Sequence, residues 1–211
     1  MTTRAAAVQS GVNLEYFTIG WNALEAAVAL ICGAVAGSIA LAAFGLDSLI
    51  EVSSAGILLW RLRSDHDAAQ REAMERRALK FVGVGLLVLA AYVAGESVLD
   101  LIRRDVPDRS LPGIALAAAA LIVMPVLARA KRKVASAIVS PALQADSRQT
   151  DICAYLSAIL LLGLLLNAAL GWWWADPVAG LLMVPLIGFE GIQALRGRSC
   201  CQDCRERSIW E

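Results

Sequence analysis

Six stretches of this sequence are each long and apolar enough to cross a lipid bilayer, and no other feature constrains the fold as tightly. They cover about 16–37, 38–60, 79–102, 111–128, 141–171 and 176–195, where a spanning helix needs about 20 mostly apolar residues. Backbone in lipid must satisfy its own hydrogen bonds, so these stretches read as helices. The polar–apolar alternation of a membrane barrel is missing. Of the 211 residues, 58% are apolar, against about 45–50% in a soluble domain. The 19 basic and 19 acidic residues cancel and gather in short blocks between the spans. That patterning excludes a soluble enzyme domain, a disordered tail and a nucleic-acid binder. The expected fold class is all-α: a polytopic membrane protein, a six-transmembrane-helix bundle occupying 1–211 as a single domain.

The segment Met1–Ser10 lacks the charged-then-apolar start of a cleavable signal, so the first span is expected to stay in the mature protein. Fifteen Lys and Arg residues fall on one side of the bundle and three (Arg103, Arg104 and Arg109) on the other, with Arg148 inside a helix. By the positive-inside rule both termini are expected in the cytoplasm of a bacterial-type inner or plasma membrane, with Trp172, Trp173 and Trp174 in an outer interfacial belt and Trp60 in an inner one. The stretch after the last span is too short for another folded domain. Ser64–Arg77 reads as a solvated helical link, and Gly33, Ala36, Gly37 and Ala40 mark a tight turn between spans one and two.

Ionisable groups inside a membrane are costly and usually line a pathway or a site. Asp47 and Glu51 lie near the middle of span two. Their i, i+4 spacing places them on one helix face, about 6 Å apart. Two bare carboxylates there repel each other as well as losing their hydration. A divalent cation between them removes both penalties; a shared proton that glues helices together is the other solution. In span five Gln149 and Cys153 repeat the spacing, and an amide oxygen and a thiolate could complete a four-ligand site, although a lone intramembrane Cys also serves as a small packing residue. Asp146 and Asp151 are alternative span-five ligands, or charges at the inner mouth with Arg148 as partner. Asn22 and Glu25 in span one, beside Glu15, and Glu96 in span three are further metal or proton residues, or structural groups. Cys200, Cys201 and Cys204 offer soft-metal capture in the cytoplasm or a palmitoylation site, and His66 reads as a solvated loop residue.

The sequence resembles the cation diffusion facilitator superfamily, and a short branch of it that includes vesicular zinc-efflux proteins. The resemblance rests on Leu46-Asp47-Ser48-Leu49-Ile50-Glu51-Val52, on Ala145-Asp146-Ser147-Arg148-Gln149-Thr150 with Cys153-Ala154-Tyr155-Leu156-Ser157, and on Trp174-Ala175-Asp176-Pro177. It implies an acidic metal pair at Asp47 and Glu51. A gapless match puts the family's His-or-Asp and Asp of span five on Gln149 and Cys153. It further implies a homodimer that exports divalent metal in exchange for protons, here without the usual cytoplasmic C-terminal domain.

Metal binding requires deprotonated ligands, so metal and protons compete for the same groups. The leading expectation is a divalent cation transporter, zinc first and iron, manganese, cobalt or cadmium after it, with the metal as cargo and no resident cofactor. The competing expectation is a metal-binding membrane partner that regulates another transporter. No HExxH, GxSxG or deep His/carboxylate constellation points to an enzyme.

Overall fold

A computed structural model describes residues 2–63, 68–138 and 140–196. His66, Cys200, Cys201 and Cys204 lie outside them. Six helices follow in order: α1 (Thr2–Ala36), α2 (Ile39–Arg63), α3 (Ala68–Arg103), α4 (Leu111–Ile138), α5 (Pro141–Leu170) and α6 (Ala175–Leu195). All six are long and apolar enough to cross a membrane, and no strand occurs among the described residues. The chain is an all-α integral membrane protein.

Three helices run beyond the expected spans. α1 starts at Thr2, α4 continues past residue 128 to Ile138, and α3 starts at Ala68, so residues 68–77 of the expected helical link are its first turns, ahead of the apolar span Lys80–Arg103. Charged residues end a hydropathy run without ending a helix, because Lys, Arg, Glu and Ala are good helix formers. In α4 the extension also has counter-charges waiting on its neighbours. The α4–α5 corner is cut by Ser140, which caps α5 by accepting from the Leu143 amide at 3.4 Å, with Pro141 in the first turn.

Between α1 and α2 the chain reverses at Gly37, whose φ of +64° favours glycine. Ser38 then caps α2: its Oγ accepts from the Leu41 amide at 3.1 Å and donates to Asp176 Oδ1 at 2.6 Å, tying the start of α6 to the same corner.

α1 packs along α2, α2 against α5, α5 along α4, and α4 back against α1, which closes a four-helix ring. α3 and α6 form a pair beside it, held to α2 and α5. The pair is close because Gly83 sets backbone on backbone; a Cβ there would stand 2.8 Å from the Gly191 carbonyl oxygen. The bundle turns Ile31, Val88, Ile122, Leu162 and Phe189 outward, as lipid requires. Trp172 and Trp174 stack with ring centroids 5.0 Å apart at the α5–α6 corner.

Candidate metal centre

The interior of the four-helix ring is polar along much of its length. On α1, Glu15, Thr18, Asn22 and Glu25 are each fully buried. Their three-and-four spacing makes one inward stripe. α2 adds Asp47, Ser48 and Glu51, and α5 adds Asp146, Thr150, Cys153 and Ser157, all buried.

Asp47, Glu51 and Cys153 come together inside the ring. Cys153 Sγ lies 3.9 Å from Asp47 Oδ2 and also faces Glu51. Glu51 Oε1 accepts from Thr150 Oγ1 at 3.1 Å, while Glu51 Oε2 has no hydrogen-bond partner in the protein. Glu25 has both carboxylate oxygens unpartnered and sits close enough to Asp47 and Glu51 to interact electrostatically with both. Asn22, one turn earlier, has both amide atoms unpartnered.

Gln149 takes another direction: its Oε1 accepts from Ser54 Oγ at 3.2 Å, next to the acidic pair rather than on it. The described residues contain no group of three or more His, Cys, Asp or Glu closed around one metal position. The acidic pair and the thiol line a polar lane rather than a finished coordination shell.

Asp146 and Asp151 are engaged elsewhere. Asp146 Oδ2 accepts from Lys131 Nζ of α4, and Asp151 Oδ2 pairs with Arg132. Their cationic partners are therefore on α4. Arg148, the partner expected from sequence, is exposed; it lies across the helix from Asp146, and although it is one turn from Asp151, that carboxylate pairs with Arg132 of α4 instead. Glu96 is half-buried one turn from Asp100 on α3, outside the ring.

Sequence reasoning missed three groups. Lys131 lies past the expected end of span four at residue 128, yet it is fully buried in the ring. Thr150, inconspicuous as a hydroxyl in a helix, is the residue that holds Glu51. Glu190 of α6 interacts electrostatically with Asp47 and Glu51; its signal was the single charge between Asp176 and Arg196.

The profile of the cation efflux transmembrane domain matches residues 17–197, which span the ring and the helix pair. The chain belongs to the cation-efflux family. It is also similar to a cation-efflux pump, FieF, of Shewanella oneidensis, at 28% identity over 152 residues, covering 69% of this chain and 49% of that protein. The chain thus spans about half the length of this curated relative. Family membership places the polar lane inside a transport domain rather than an enzyme.

Proposed function

We propose that the protein moves a divalent metal cation, zinc foremost, out of the cytoplasm in exchange for protons. The observation that carries this reading is the meeting of Asp47 and Glu51 of α2 with Cys153 of α5 inside the ring. Two hard carboxylates and a soft thiolate make a mixed donor set, one that suits zinc and cadmium better than magnesium. Glu25, unpartnered beside them, is a fourth oxygen donor or a proton carrier. Because every one of these groups must lose its proton to bind metal, filling the site releases protons, and a site that faces each side in turn exchanges the two cargoes. The working unit on this reading is a homodimer with both termini cytoplasmic.

The test is flux. Purified protein in liposomes, with a pH dye inside and zinc, cadmium, manganese, cobalt, iron(II) or magnesium outside, should move zinc and protons in opposite directions. Asp47→Asn and Glu51→Gln should abolish the flux without loss of the folded protein. Metal binding without flux would instead favour a metal-binding partner of another transporter, and normal flux in both variants would refute the site.

A further inference from the structure

Lys131 is fully buried, and its ammonium lies between two carboxylates from different helices. Nζ donates to Asp146 Oδ2, stands 3.5 Å from Thr150 Oγ1 and lies 3.6 Å from Glu15 Oε1. Asp146 is 6% exposed and Glu15 0%. One ammonium faces two carboxylates, and three of their oxygens (Asp146 Oδ1 and both of Glu15) have no hydrogen-bond partner in the protein. Buried ion pairs seldom improve on apolar packing, so such a cluster is weakly explained by stability. With both carboxylates ionised it is also one positive charge short. A lysine ammonium is a compact point charge on a flexible stem, able to withdraw and return, whereas a divalent cation would match two carboxylates in full.

We propose that Glu15 and Asp146 form a second divalent-cation site, which the tethered ammonium of Lys131 occupies until a metal displaces it. Its donors are all oxygen, so it accepts harder cations than the Cys153 site does. Asp146 precedes Cys153 by seven positions on α5, about 10 Å along the axis. Thr150 lies between the two sites, touching both Lys131 and Glu51. The role of this site as a step toward Asp47 and Glu51 rests on the transport reading above; its capacity to bind metal does not.

Equilibrium dialysis against Mn²⁺ tests that capacity. In an Asp47→Asn, Glu51→Gln background, adding Lys131→Met should raise the bound Mn²⁺ by one per chain, and adding Glu15→Gln to that should remove the gain. Folded protein that gains no Mn²⁺, or keeps the gain without Glu15, overturns the proposal and leaves the transport reading standing. Lys131→Met leaves two carboxylates unbalanced, so a second variant covers the case in which it does not fold. Glu15→Gln alone matches one carboxylate to one ammonium. It should raise the half-saturating Zn²⁺ for flux from the Lys131 side on the order of tenfold, with the maximal rate retained. Unchanged half-saturation overturns the proposal. Failure of the transport reading shows separately, as normal flux in Asp47→Asn and Glu51→Gln.

Discussion

Thr150 Oγ1 donates a 3.1 Å hydrogen bond to Glu51 Oε1, so a hydroxyl of α5 fixes one oxygen of the deepest carboxylate in α2 and leaves the other open. The same hydroxyl is within 3.2 Å of the Asp146 carbonyl oxygen in its own helix. It has one proton to give and two acceptors that compete for it.

Thr150→Val removes the hydroxyl at nearly constant volume and strands Glu51 Oε1. A loss of about 1–3 kcal/mol of stability is expected, with metal affinity falling about 10–100-fold. Thr150→Ser should restore most of both. Zinc titration by calorimetry and thermal unfolding of the two variants check this.

The role of Cys153 separates the two possible ligand registers of α5. If its thiolate binds metal, Cys153→Ser cuts zinc flux strongly, because a neutral hydroxyl is a poor substitute, while Cys153→Asp retains flux and broadens it toward manganese. Asp151→Asn should leave zinc flux near normal, since Asp151 is paired with Arg132. Side-by-side flux measurements decide; a silent Cys153→Ser with a severe Asp151→Asn would reverse the assignment.

The two α4–α5 ion pairs should differ in energetic weight. Lys131 is 0% exposed in its pair with Asp146, whereas Arg132 is 41% and Asp151 29% exposed. Asp146→Asn removes the hydrogen-bonded carboxylate of a buried ammonium and leaves it Glu15 at 3.6 Å, an expected cost of about 1–3 kcal/mol. Asp151→Asn should cost about 0–1 kcal/mol. Unfolding of both variants by SDS in mixed micelles measures the difference.

Close helix approach supplies a fourth test. A Cβ on Gly83 would meet the Gly191 carbonyl oxygen at 2.8 Å and the Leu195 nitrogen at 2.9 Å, both backbone atoms that cannot turn aside. Gly85, two residues on, would meet only Ile50 Cδ1 at 3.9 Å. Gly83→Ala should therefore destabilise by about 1–3 kcal/mol, and Gly85→Ala should be neutral or slightly stabilising. Thermal melts of the two variants, with flux as a second readout, check this.

The bundle and the Asp47–Glu51 pair were legible in the sequence because each is a local pattern: apolar run length for the helices, an i, i+4 spacing within one span for the carboxylates. Lys131 was not, because hydropathy counts a lysine as the end of a span. Only the fold shows Glu15 and Asp146 arriving from α1 and α5 to receive it. Gln149 is the converse case. Its spacing to Cys153 fits a ligand pair, yet its amide meets Ser54, a neighbour that no pattern within span five could reveal.

The inward stripe of α1 also bears on how the protein is made. A charged residue at the centre of a spanning helix costs about 2.5–3.5 kcal/mol on insertion, while each Leu, Ile or Val returns only about 0.3–0.6. α1 is apolar enough to cross a membrane, but Glu15 and Glu25 together with Asn22 give it an insertion penalty until the other walls of the ring exist. Those walls include α4 and α5, and Lys131 is added more than a hundred residues after Glu15. At about 5–20 residues per second, the nascent chain holds its first acids without that cation for at least about 5 s. Biogenesis thus runs against neutralisation: the carboxylates of the first two helices come early, and the lysine that answers Glu15 is delivered only with the fourth.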